Sequence, residues 1–397
     1  MAGSFPTLRS GQTVFYPVVD IRSFATGMHR FMDDTEQRWR GRLMLVRYEL
    51  VFSNINSYDV SKIRNFFRSQ FGRFDDTWSL TVGSEVWTDL AFDQDEFPPV
   101  EEKRNHFTFQ LKILQVKSSN PTIPAATPYF PQINSQGVTA QLPYASRLEY
   151  RTSSEELPTG RRYAYKWRAN PLGYFEVALP NITDVELTKL KDFFYSMEGR
   201  RGEFTFLDPG GNLANYSDDF GQASWTKTDL TAGAAVADPF GGTDARAITG
   251  TLTNGLLYTT VLPSGNASGY VLCGSVWAKA LSAGQSLSIG FIDSGFSVLS
   301  NTIWTLPQNQ WVRIYHTITL ATASYIRLLI GGFSTWGATT IHLFSGQVSP
   351  TPGPNGRLLT PGADALRAKC RFDNDDFRFS RNGVNHSSVA VPIREYI

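Results

Sequence analysis

Two stretches of the chain, FFRSQFGRFDDTWSL at residues 66–80 and FFYSMEGRRGEFTFL at residues 193–207, say nearly the same thing. Each opens on a Phe pair, places Ser two residues later, continues to Gly-Arg and closes on Leu. Working outward, the match holds a constant offset of 127 over 34 positions, 47–80 against 174–207, without a gap. Ten positions are identical, among them Glu49/Glu176, Asn54/Asn181, Lys62/Lys189, Phe66/Phe193, Phe67/Phe194, Gly72/Gly199 and Arg73/Arg200. Composition alone would give about two matches, so a structural unit has been duplicated.

The physics of the two copies agrees. Val60, Ile63 and Phe67 recur at helical spacing in the first, as do Leu187, Leu190 and Phe194 in the second. Asn56 with Asp59, and Thr183 with Glu186, have the spacing of an N-cap and its reciprocal acid. Gly72 and Gly199 stand where a helix stops in a left-handed residue. Each copy therefore predicts a strand, one amphipathic helix and a second strand, with the Phe pairs assigned to packing. The arginines that follow, Arg73, Arg200 and Arg201, sit at helix ends where cations are favoured and are candidate inter-subunit contacts.

A second match has a different offset. FDQDEF (92–97) resembles FDNDDF (372–377), and Asn105-His106 matches Asn385-His386, both at 280. The change from 127 to 280, a difference of 153 residues, measures an insertion in the second copy. Its composition shifts to small and polar residues, and short alternating runs such as GYVLCGSVWAKA, QWVRIYHTITL and TTIHLFSGQV follow one another with turns between. That pattern predicts a β-sandwich of jelly-roll type. Trp225, Trp277 and Trp311 are embedded in strand patterns and read as core. Trp304 and Trp336 lie in or beside loop-like segments and are the candidate glycan contacts, because an indole face suits the CH face of a sugar.

The resulting fold class is mainly β with one helix per repeat. The divisions are a first repeat domain at 1–120, a linker at 121–145, a second repeat domain at 146–212 and 356–397, and the sandwich with its linker at 213–355.

A formal charge of +1 over 397 residues provides no overall field for nucleic acid or an anionic membrane. Two cysteines give neither a disulfide framework nor a zinc pattern, and the first residues lack a signal peptide's apolar core, which predicts synthesis in a reducing cytosol. The acids Asp93, Asp95 and Glu96 recur as Asp373, Asp375 and Asp376. A catalytic pair or a metal cage belongs to one site, so this repetition reads as a structural turn. No nucleophile elbow or phosphate loop occurs. The expectation is a non-enzyme without metal or cofactor.

The duplicated unit resembles the distal-tail and minor-tail proteins of long-tailed phages. The residues that carry this are Glu36-Gln37-Arg38-Trp39, then 45–80, and GRRGEFTFLDPGG (199–211), where Asp208-Pro209 closes the strand. The first copy departs from the pattern at Thr81-Val82, and the second offers RRYAYKW (161–167) in place of Glu-Gln-Arg. The inserted segment, with LANYSDDFGQASWTKTDL, GSVWAKA and WVRIYHTITL, resembles the carbohydrate-binding-module-like sandwiches of phage tail and adhesion proteins. The resemblance implies tail-tube-like barrels in a virion tail-tip ring around the DNA channel, either a homotrimer of pseudo-six-fold symmetry or a homohexamer. Its implied partners are the tail tube protein, other tail-tip or hub proteins, host surface polysaccharide, and DNA that passes without specific binding. The alternative is a tail-associated polysaccharide-degrading enzyme with an accessory carbohydrate-binding module.

Overall fold

The computed structural model describes the chain apart from residues 1–3, 15–16, 31–35, 71–76, 83–84, 95, 104, 116–122, 125–126, 134–143, 150–151, 157–160, 167–170, 218, 251–254, 263–268, 322–324, 332–338, 357–361, 384 and 397. Gly72, Arg73, Asp95 and Trp336 therefore lie outside the described residues. Two compact units are present: Met1–Ala126 with Gln141–Glu203 and Lys369–Ile397, and Thr127–Ala140 with Phe204–Ala368. Among the described residues both are built from antiparallel sheets, with two helices, α1 (Ser57–Ser69) and α2 (Asp184–Ser196). The mainly β class holds.

In the first unit the two sequence offsets reappear as two identical ladders. Glu49 pairs with Lys112 and Glu176 with Pro392; Phe92 pairs with Ile113 and Phe372 with Ile393. The helix starts also match. Asn56 accepts from the Asp59 amide, while Thr183 and Glu186 complete a reciprocal capping box. Asn105 and Asn385, both at positive φ (65° and 59°), each reach a helix from outside. The Asn105 side chain accepts from the Ser57 amide at 3.0 Å, and Asn385 from the Asp184 amide at 2.8 Å. Helix packing repeats as well: Phe67 meets Phe92, and Phe194 meets Phe372, each with ring centroids 4.7 Å apart. At the end of α2, Gly199 takes φ 63°, and a Cβ there would lie 2.9 Å from the Asp375 carboxylate.

One strand joins the repeats. Val18–Arg30 pairs with Glu36–Ile55 along one edge and, from Val18↔Arg381 to Ser23↔Asp376, with Asp376–Gly383 along the other. The two copies thus share one continuous sheet. Its hydrogen bonds trace an open path among the described residues, and no closed barrel is seen. Side chains reinforce the joint. Asp375 accepts from the Thr26 amide (2.9 Å), the Thr26 hydroxyl (2.7 Å) and the Arg200 amide (3.1 Å). Arg38 donates to the Arg200 carbonyl and lays its guanidinium 4.6 Å from the Tyr396 ring. Asp20 is fully buried in the same strand; burial raises its pKa, opposed mainly by Arg22 and Lys191.

The second unit is a β-sandwich. One five-stranded sheet has the order Thr226–Thr228, Leu256–Leu262, Ile326–Gly331, Ser286–Ile292, Val298–Thr305. The other runs Leu230–Val236, Ala245–Gly250, Thr340–Ser349, Val271–Ala280, Trp311–Thr319. Leu257, Ile289, Phe291 and Ile330 from the first meet Ile248, Leu272, Val276, Ile341 and Leu343 from the second in a single apolar core. Trp225 is buried at its end, with Phe220 4.7 Å away ring to ring and its indole N–H on the Tyr216 carbonyl at 2.9 Å.

The chain enters and leaves the sandwich side by side. The Asn212 side-chain oxygen accepts from the Ala214 amide (3.0 Å) and the Val348 amide (2.8 Å). Its backbone carbonyl accepts from Asp364 and Ala365. Part of the segment read as linker belongs to this unit. Phe130 and Ile133 are buried, the Phe130 amide donates to the Thr205 carbonyl while the Thr205 amide donates to the Pro128 carbonyl, and Gln132 bonds both the amide and the carbonyl of Val271. The unit is thereby wider than the 213–355 expected, because an apolar YFPQI run finds a core to enter.

Candidate functional site

In Val271–Ala280 the residues Leu272, Val276, Ala278 and Ala280 face the sandwich core. Strand alternation then sends Cys273, Ser275, Trp277 and Lys279 to the opposite, outer side. Directly paired residues share a side, so the register of the two neighbouring strands completes the face in rows. Lys279 lies between Trp311 and His342, Trp277 between Arg313 and Phe344, Ser275 between Tyr315 and Gln347, and Cys273 between Thr317 and Ser349. A bulge at Ser345, with φ 55°, lets Phe344 and Gln347 both join this side.

The rows differ in access. Cys273, Ser275, Gln347 and Ser349 are buried, and the chain beyond them closes over that end: Thr317 donates to the Pro352 carbonyl at 2.9 Å and Ser349 to that of Gly353 at 3.1 Å. Tyr315, at the edge of the Ser275 row, is exposed, and in the two rows beyond it Trp277, Lys279, Trp311, Arg313 and His342 are partly so. The Trp311 and His342 rings approach to 6.4 Å across Lys279. Phe240, 59% exposed, stands edge-on to Trp277 at 5.6 Å and tilted to Phe344 at 5.9 Å. Its loop is fixed by Asp238, whose carboxylate accepts from the amides of Phe240 (2.7 Å), Gly242 (3.1 Å) and Asp244 (3.4 Å). Burial would raise that carboxyl, but these amides outweigh it and leave its pKa below the ordinary value.

The cation of the face is held in place from beneath. Arg313 Nη2 donates to the Ser275 hydroxyl at 3.1 Å and to the Gln347 carbonyl oxygen at 2.6 Å. Burial, then the Lys279 charge, lowers the pKa of His342, which keeps its ring neutral near pH 7. Aromatic faces beside fixed donors suit a sugar, whose ring offers apolar CH faces and a rim of hydroxyls. The five strands of this sheet contain no Asp or Glu.

Of the tryptophans read as core, Trp225 is, but Trp277 and Trp311 are on the outer face. The pattern could not separate them because VLCGSVWAKA is apolar at both parities. Trp304, the candidate contact, pairs with Leu287 and so faces inward. It packs against the core, half-buried, and its indole N–H donates to the Tyr315 carbonyl at 3.1 Å. Trp336 lies outside the described residues, as does Arg73. Arg200 is at the joint between the repeats, and Arg201 pairs with the buried Glu198 at 2.6 Å.

No protein-family model and no curated protein matches the chain. Among similar solved structures, the CBM22-1 xylan-binding domain of Paenibacillus barcinonensis Xyn10C is 14% identical over 36% of this chain and 96% of its own, with a TM-score of 0.28. A CBM4 structure is 17% identical over 37% and 94%, TM-score 0.26. The enzymatically active domain of bacteriophage CBA120 tailspike protein 4 is 16% identical over 35% and 21%, TM-score 0.28. At such scores these likenesses carry no weight for ligand or activity.

Proposed function

We propose that this protein is a structural scaffold that presents a polysaccharide-binding β-sandwich. The observation that supports it is the row of outer-face side chains, Trp277 and Trp311 flanked by Arg313, Tyr315 and His342, on a rigid sheet. What favours binding over hydrolysis is that the strands of this face hold no carboxylate for an acid–base pair. Trp277→Ala and Trp311→Ala in the full chain should each weaken binding to host surface polysaccharide by about tenfold or more, the loss of roughly 1.4 kcal/mol. Isothermal titration or a glycan array measures this; unchanged binding by both variants would sink the reading.

For the duplicated unit we propose the tail-tip role, a ring component between tail tube and hub in a virion. The observation behind it is the joint itself, in which one repeat docks on the other through unlike surfaces. Unlike surfaces repeated from chain to chain give a ring when the rotation closes. The mass of the purified assembly should correspond to three or six chains, with matching symmetry in class averages. A strictly monomeric mass at high concentration would refute this.

A further inference from the structure

We propose that the glycan taken by this face is acidic, its anionic substituent (a carboxylate, sulfate or phosphate ester) pairing with Arg313 while Lys279 supplies a second cation one row away. The inference rests on the reading of this face as a sugar-binding surface, and it names the ligand's chemical class.

The first support is the treatment of arginine elsewhere in the same chain. Arg47 is 3.0 Å from Asp93, Arg246 is 2.9 Å from Asp219, and Arg394 is 2.6 Å from Glu149. Arg327, in the sandwich, lies against the rings of Phe296, Tyr325 and Tyr258. Arg313 differs from the first three: it is partly buried, and, as with Arg64, Arg200 and Arg327, no carboxylate pairs with it among the described residues. A cation withdrawn from water without a counter-ion carries a desolvation cost that a bound anion would offset. Consistently, burial lowers its pKa.

The second support is how the guanidinium is held. Both oxygens that receive Arg313 Nη2 come from side chains beneath the surface, Ser275 and Gln347, exposed 0% and 1%. Gln347 Nε2, in turn, has no acceptor among the described residues. Two buried neutral groups therefore fix the direction of the charge without neutralising it, the arrangement of a receptor for a planar or tetrahedral anion. The third support is the charge of the face. None of the sheet's five strands contributes an acid, while Lys279 and Arg313 occupy adjacent outward rows. Trp277, directly opposite Arg313, offers a ring to the sugar that bears the substituent.

The test uses the full chain and matched polymer pairs: polygalacturonate against its carboxyl-reduced form, and dextran sulfate against dextran. The expected result is binding of at least one acidic member about tenfold or more tighter than its neutral twin. Arg313→Gln and Lys279→Gln should each remove most of that preference, and Arg327→Gln, off this face, should not. Which pair discriminates tells carboxylate from sulfate. Equal binding of acidic and neutral twins, still lost in Trp277→Ala, overturns the acidic assignment and leaves the sugar-binding reading standing. An equal loss in Arg327→Gln reduces the preference to general charge attraction and overturns it too. Failure of any polymer or host glycan to bind overturns both.

Discussion

Trp225→Ala should cost the sandwich about 3–5 kcal/mol, the range found when a large buried aromatic is truncated. The indole is 1% exposed. Gly346 packs against its six-membered ring so closely that even a Cβ there would come within 2.8 Å. Surroundings built from glycine backbone and a buried strand cannot collapse into the space, so the cavity term stays large. The truncation also removes one of two donors from the Tyr216 carbonyl, the indole N–H at 2.9 Å, and leaves it the Asp219 amide at 3.2 Å. Chemical denaturation followed by near-ultraviolet circular dichroism would show it as an earlier transition. A shift below about 1 kcal/mol would mean that the end of the core is looser than its burial implies.

Asn212→Ala is expected to act through hydrogen bonds alone, with a cost of about 2–5 kcal/mol from two buried amides left unpaired. One side-chain oxygen serves Ala214 and Val348, residues far apart in sequence, and Asn212 is 1% exposed. Alanine deletes the acceptor while the donors remain fixed in the entry turn and the Thr340–Ser349 strand. Hydrogen exchange at those two amides should accelerate well beyond that of neighbouring core amides. Exchange rising uniformly across the sheet, or not at all, would show that Asn212 is not the local tie described.

How much of this could be read from sequence depends on the range of the interactions. The duplication was legible because its markers are local: a cap, a helical stripe and a Gly-Arg pair keep their spacing in each copy. Asn105 and Asn385 were visible as a repeated Asn-His pair, but their bond to a helix start is a long-range contact. The joint was hidden for the same reason. Nothing near Asp375 or Thr26 in sequence announces that they meet. In the sandwich, alternation predicted strands but not which side of each would be covered. Trp277 and Val276 look alike until the second sheet chooses between them. Arg313 gave no signal, since its distinction is the absence of a paired acid rather than the presence of a motif.

The YFPQI segment at 129–133 has a consequence for inheritance. A sandwich whose ends leave together invites exchange between genomes as a cassette, since a recombination on each side of 204–368 would move most of it at once. Such a transfer would leave behind Phe130 and Gln132, and with them the partners of Thr205 and Val271. A recipient with an unrelated segment at that position would receive a domain with an open flank. Lineages that swap this module should therefore either carry the 127–133 strap along with it or keep that strap unchanged while the rest of the module diverges.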